Sequence, residues 1–464
     1  MEYNDFLESK KMKTVSSGFD CGELNNSLFG FQKDVDRWML KKGMACAFQD
    51  CGLGKTFEQL VWADQVCSYT GSNVLIAAPL AVSQQTRREG EKFGIEVNMC
   101  RTKHDVKRGI NITNIEMLHH FDPRDFKGFE IDESSILKHS DSKTRQLVIE
   151  MFSQTPYRSA WTATPAPNDY MELGNHAEFV GVMKMSEMLS TFFVHDGGDT
   201  SKWRLKGHAK EKFWEWLASW AVVMTKPSDL GYPDEGFSLP ELIIHEHVVD
   251  SVVGDIDGQM LLIPEIAKTL LDRRRARKSS LEDRCTCAAE IIESNPHEQW
   301  LIWCDLNDES ATLKKMIHDS VEVRGSDSDT HKSDSMLGFS SGNVERLITK
   351  PSIAGFGMNW QNCSNMIFVG LSDSYEMFYQ AIRRCWRFGQ TKRVNVHIVI
   401  SEAEGAVKAN IERKEKAAKE MISSMVQHTK IILTDELHGS EHKYISYQPQ
   451  KKMYIPNWLK SEAI

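Results

Sequence analysis

Residues 49–56 read QDCGLGKT. Two glycines, a lysine and a hydroxyl at this spacing suit one task, holding a phosphate. Gly52 and Gly54 let the backbone fold tightly, so that its N–H groups face an anion at a helix N-terminus. Lys55 is then placed to reach β- and γ-phosphates, and the Thr56 hydroxyl to hold Mg²⁺. Gln49 stands where the first glycine of such a loop usually sits. A second candidate is EIDESS, residues 130–135. Asp132 and Glu133 at the end of an apolar stretch suit a metal-and-water pair for nucleotide hydrolysis, or two solvated acids opening a loop. The dipeptide does not decide between them.

The elements around the loop give it meaning. MACAF, residues 44–48, is small and apolar and reads as a buried strand. FEQLVWADQV follows, with Phe57, Leu60 and Val61 at helical spacing. Strand, glycine loop and helix is the context a phosphate site needs. Upstream, Gln32 opens a helix carrying Val35, Trp38 and Met39. About 20 residues before such a loop, it is a candidate for reading an adenine edge through its amide.

Further motifs follow in a fixed order. They are NVLIAAPLAVSQQTRRE (73–89), INITNIEML (110–118), FEIDESS, SAWTATPAPN (159–168), LITKPSIAGFGMNWQNC (347–363) and YQAIRRCWRFGQTKRV (379–394). With DCGLGKT and the FQ pair before it, this series resembles motifs Q to VI of the SNF2-like group of superfamily 2 helicases and translocases, especially compact forms encoded by bacteriophages. The resemblance spans residues 24–400 and implies an α/β fold. Two tandem RecA-like P-loop NTPase domains with parallel sheets would enclose an ATP cleft between them.

The resemblance also implies roles. Asp132 would hold Mg²⁺ through water, while Glu133 orients and deprotonates the attacking water. Thr162 and Thr164 would link nucleotide state to nucleic-acid grip. Arg384 and Arg387, three apart and sharing a helix face, would act as arginine fingers on the γ-phosphate, with Gln380 before them. Gly52, Leu53, Gly54, Lys55, Thr56, Gln32 and Gly357 would complete the ATP site, and Lys350 and Ser352 would touch phosphates of the track. Three positions depart from the pattern. Arg383 replaces a glycine or aspartate, Trp386 a histidine, and Ser134-Ser135 the "AH" or "AD" of better-known relatives.

A chain of 464 residues suits two or three domains. The expected layout is an extension over 1–23, a first lobe over 24–182 and an inter-lobe helical insertion over 183–248. A second lobe over 249–400 and a C-terminal helix and tail over 401–464 follow. In the insertion, Trp214 and Trp216 are expected in the core rather than stacked on bases. Net charge is −9, which argues against coating nucleic acid by bulk charge but leaves room for a local basic groove across both lobes. Arg273, Arg274, Arg275, Arg277 and Lys278 form the densest basic cluster, read as a phosphate contact or as a solvated helix face. Ten cysteines are scattered, and Cys285-x-Cys287 lacks the second pair a zinc site needs. Reduced thiols, no signal-peptide core and no apolar run of about 18 residues fit a cytoplasmic protein without a membrane span. The function expected is an ATP- and Mg²⁺-dependent DNA helicase or translocase in replication, recombination or repair, with DNA as track and replication, recombination or nuclease proteins as possible partners. The alternatives are the motor subunit of a restriction or defence system, or a DNA-binding recruitment module that does not hydrolyse.

Overall fold

A computed structural model describes residues 16–138, 142–196, 199–249, 278–354 and 358–437. Short apolar runs form strands buried on both faces, the signature of a parallel sheet covered by helices on either side. In the first lobe these are β1 (Met44–Gln49), β2 (Asn73–Ala78), β3 (Val97–Met99), β4 (Ile110–Asn114), β5 (Phe126–Asp132) and β6 (Tyr157–Thr162). An antiparallel hairpin follows, β7 (Phe193–Asp196) with β8 (Asp199–Leu205), and then β9 (Ala221–Met224). The sheet order is β3-β4-β2-β5-β6-β1-β9, every pair parallel. Alternate residues feed opposite cores: Cys46 and Phe48 pack on one face, Ala45 and Ala47 on the other.

The second lobe repeats the plan. Its strands are β10 (Leu242–Val249), β11 (Trp300–Cys304), β12 (Ser320–Glu322), β13 (Arg346–Thr349), β14 (Asn365–Val369) and β15 (Val394–Ser401). They lie in the order β10-β15-β14-β11-β13-β12, again all parallel. Leu301 and Trp303 face one core, Trp300 and Ile302 the other. The expected α/β fold of two RecA-like lobes is the fold found.

The sheets divide the chain differently from the expected boundaries. Residues 183–248 contribute a strand to each lobe, because β9 completes the first sheet beside β1 and β10 the second beside β15. The first lobe also begins earlier than residue 24: Phe19 is buried and stacks on Tyr69 at 3.9 Å between ring centroids. Trp214 and Trp216 are buried in the first lobe, as their helical setting suggested. Arg273, Arg274, Arg275 and Arg277 lie outside the described residues.

A 33-residue helix, Gly405–Leu437, leaves the second lobe and crosses to the first. At about 1.5 Å per residue it is roughly 50 Å long. Val407, Ile411 and Ala418 pack in the second lobe's core. Met425 and Leu433 belong to the two cores of the first. His428 stacks on Trp214, and Trp38 donates its Nε1–H to Glu436 at 2.7 Å. No helix among the described residues is long and apolar enough to cross a membrane.

Candidate active site between the lobes

The candidate side chains of the first lobe lie where parallel strands end, the usual place for a ligand in open α/β sheets. β1 ends in the phosphate loop. Gly52 and Gly54 have φ of 92° and 89°, and the helix Lys55–Thr70 starts with no side chain capping its N-terminus. Its first N–H groups are therefore open to an anion. Both glycines are also required by contact. A Cβ on Gly54 would come within 2.3 Å of Gln32 Nε2, and one on Gly52 within 2.8 Å of the Phe388 backbone nitrogen. Lys55 Nζ donates to the carbonyls of Gln49 and Asp50, at 2.9 and 3.1 Å.

β5 delivers the acids. Asp132 is buried, and its Oδ1 accepts from Gln59 Nε2 at 2.8 Å and from the Glu133 backbone N–H at 3.0 Å. Burial raises its pKa, opposed by the Gln59 bond and by Lys55. Glu133 adopts φ 53°, a left-handed conformation that non-glycine residues rarely hold and that clusters at functional sites. Burial, then the neighbouring Asp132, push its carboxyl up to about 7, and its Oε2 takes no hydrogen bond. Ser134 lies 3.1 Å from Nε2 of His176, whose pKa burial drives down to about 4, so the imidazole is neutral.

The helix Tyr375–Ile382 and the turn after it bring the second lobe's groups. Arg384 donates to the carbonyls of Gln380 and Met358 and to Gln380 Oε1. Arg387 donates to the Met358 carbonyl at 3.5 Å and its Nε–H has no partner. Burial and the adjacent Arg384 lower the Arg387 pKa to about 10.

These groups share one cavity of about 250 Å³, which Gly52, Gly54, Lys55, Thr56, Asp132, Glu133, Arg384 and Arg387 all line. Gln32 reaches it too, but its amide is engaged inside the protein: Nε2 donates to the Leu53 carbonyl at 2.8 Å and Oε1 accepts from the Phe29 N–H. Leu53 is buried and does not line the cavity; its carbonyl is taken by Gln32. Gln380 stays behind the cavity and orients Arg384. Gly357 and Gly355 lie outside the described residues. For Mg²⁺ the donor set fits: Thr56, in the first turn of the helix, lines the cavity with Asp132, whose bonds from Gln59 and Glu133 go to Oδ1 and leave Oδ2 free of them.

Sequence reasoning missed several groups here. Phe29 and Phe388, one from each lobe, line the same cavity with ring centroids 6.3 Å apart. Glu376 reaches from the second lobe to Lys138 and to Thr164 Oγ1, tying the segments after both β5 and β6 to the opposite lobe. Thr164 in turn holds Thr162, whose Oγ1 accepts from the Thr164 backbone N–H. Asp50 pairs with Arg383 and accepts from the Tyr379 hydroxyl. Trp386 donates to the Pro240 carbonyl at 2.7 Å.

Residues 283–389 match the helicase conserved C-terminal domain family. No curated protein matches the sequence. Among solved structures, the chain is similar to the Sulfolobus solfataricus SWI2/SNF2 ATPase core in complex with dsDNA, at 21% identity, over 92% of this chain and 100% of that one, with a TM-score of 0.41.

A second cavity, about 610 Å³, also runs between the lobes. Ser83, Gln84, Thr113 and Asn114 line it from the first lobe, and Ser333 and Ser352 from the second. Its lining differs from the expected basic groove. The cations among the described lining residues are Arg101 and Lys332, set among Asp105, Glu116 and Asp329. Arg101 pairs with Asp329 across the groove at 3.0 Å. Lys350 turns away, donating to the Asp305 carbonyl at 2.7 Å.

Proposed function

We propose that this chain is an ATP-dependent motor of the SNF2-like type that moves along DNA, with duplex DNA as the track, in replication, recombination or repair. The observation that carries the reading is the shared cavity: a phosphate loop and an acidic pair from one lobe face two arginines from the other. No single lobe holds the full set, so hydrolysis reports on, and drives, the relative placement of the lobes.

The chain's own groups divide the work. Backbone N–H groups of the loop and Lys55 bind the phosphates, Lys55 leaving the carbonyls of Gln49 and Asp50 to do so. Phe29 and Phe388 offer aromatic faces to the base. Glu133, poised near neutrality, accepts a proton from the attacking water. Arg384 and Arg387 neutralise charge that develops on the transferred phosphoryl group. Thr56 and Asp132 would hold Mg²⁺, which shields the phosphate oxygens when bound. The second inter-lobe cavity takes the nucleic-acid backbone, through the polar groups among its otherwise apolar lining. Glu376, bonded to both acid-strand and Thr164 segments, carries lobe movement between groove and cavity.

The test is phosphate release with and without duplex DNA, for wild type and Glu133→Gln. DNA stimulation in wild type, lost in the variant, is expected; equal rates would sink the enzyme reading. Triplex displacement beside forked-duplex unwinding then separates a translocase from a helicase.

A further inference from the structure

The phosphate loop is gripped from the opposite lobe by Tyr379 and Arg383. Asp50, the residue before Cys51-Gly52, is partly buried in the cleft. Its Oδ1 accepts from the Cys51 N–H at 2.6 Å and from the Tyr379 hydroxyl, and its Oδ2 from Arg383. Arg383 is 5% exposed and packs over two rings, 5.4 Å from the centroid of Tyr379 and 4.7 Å from that of Trp386. Its Nε also donates to the Tyr379 hydroxyl at 3.2 Å. Gly52 meets the Phe388 backbone beside it, so loop and turn touch on both sides of Cys51. Arg383 thus sits between Gln380 and Arg384 in sequence while pointing at a different partner.

We propose that Arg383 and Tyr379 form with Asp50 an inter-lobe latch, which seats the arginine-bearing turn on the phosphate loop and makes Arg383 a positioning residue for Arg384 and Arg387. The geometry gives the reason. Arg384 and Arg387 are held by the Met358 carbonyl and Gln380, all within the second lobe, and those contacts fix their shape but not their distance from Glu133. The polar contacts that bind this turn and the helix before it directly to the loop are those of Asp50, together with a weaker bond from the Cys51 thiol to Gln380 Oε1 at 3.8 Å. A buried pair is costly to break on one side, since the remaining charge stays in the cleft without its partner. The latch therefore favours the seated arrangement before nucleotide enters. Lys55 rests on the Asp50 carbonyl, so arrival of phosphates rearranges one end of the residue the latch holds at the other. This inference rests on the motor reading above for its catalytic consequence, but the latch itself does not require hydrolysis.

Hydrogen exchange in the nucleotide-free full chain tests the latch, and steady-state phosphate release tests its purpose. In Arg383→Gln, amides of residues 50–54 should exchange about tenfold faster or more, while those of β2 stay unchanged. Tyr379→Phe, which keeps the ring and removes one hydroxyl, should show a smaller effect of the same sign and serves if Arg383→Gln folds poorly. With DNA and ATP, kcat of Arg383→Gln should fall about tenfold or more, with KM changed far less, because misplacing the arginines affects the transition state first. Arg383→Lys should restore part of kcat. Unchanged exchange at 50–54 in both variants would overturn the latch, as would a rise in KM with kcat intact. Faster exchange in a protein whose wild type releases no phosphate supports the latch and removes the motor reading instead.

Discussion

Glu58 lies behind the phosphate loop with no exposed surface. Its Oε1 accepts from Gln49 Nε2 at 2.8 Å, and its Oε2 has no partner. Burial pushes its carboxyl from 4.5 up to about 8, against the opposing pull of the Gln49 bond and Lys55. Below pH 4.5 the group is protonated whether the chain is folded or not, and it contributes no pH dependence. Between there and about pH 8 the unfolded chain releases the proton and the folded one keeps it, so stability falls as pH rises. Each pH unit in that window removes about 1.4 kcal/mol, and the whole window at most about 5 kcal/mol. Above pH 8 both states are ionised and the decline stops. Glu58→Gln keeps the acceptor for Gln49 and removes the titration. Thermal unfolding of wild type and variant should therefore diverge steadily through pH 5, 6.5 and 8 and show little further divergence at pH 9. Between pH 5.5 and 8 the variant gains about 3 kcal/mol over wild type, roughly 6–12 °C in the transition of a lobe this size. Curves that run parallel across the range would refute a buried, proton-bearing Glu58.

Arg387→Ala should lower kcat for phosphate release by about 10³-fold or more with little change in nucleotide affinity, measured by steady-state kinetics beside binding of a fluorescent nucleotide. Lys332→Ala should weaken DNA binding and reduce the slope of log K against log salt by about one, since Lys332 is one of two cations among the groove's described lining residues. Met425→Ala, at a fully buried position in the first lobe's core, should cost about 2–5 kcal/mol in chemical unfolding. Ile431→Ala on the same helix, at 70% exposure, should stay within about 0.5 kcal/mol.

The parts of the site that one stretch of chain defines were legible. Phosphate loop, acidic pair and arginines each sit at fixed spacing within a few residues, and the runs MACAF and WLIWC carry enough apolar side chains to announce buried strands. What depends on a distant partner was not. Arg383 stood out as a departure from the family pattern, yet its partner Asp50 lies 333 residues away. Gln32 reads as an adenine contact from its position, and spacing alone does not disclose its bond to the Leu53 carbonyl. β9 is only four residues long in an aromatic segment, and the alternation of LIIHEHVV is interrupted by two histidines, so both edge strands were absorbed into an insertion. The charge of the groove depends on which surface faces the other lobe, a property of assembly that composition does not encode.

The helix Gly405–Leu437 has a consequence for how the molecule is made. Met425 and Leu433 fill positions in the cores of the lobe that is synthesised first. That lobe emerges from the ribosome with its seven strands available but its hydrophobic faces incomplete, and they remain so while some 200 further residues are translated. The amino-terminal half therefore reaches its final packing only after the carboxy-terminal half has been translated and the helix is available. Translation and folding run in opposite orders at the last step, and a chain stalled within the second lobe would expose the apolar surface that the helix is there to cover.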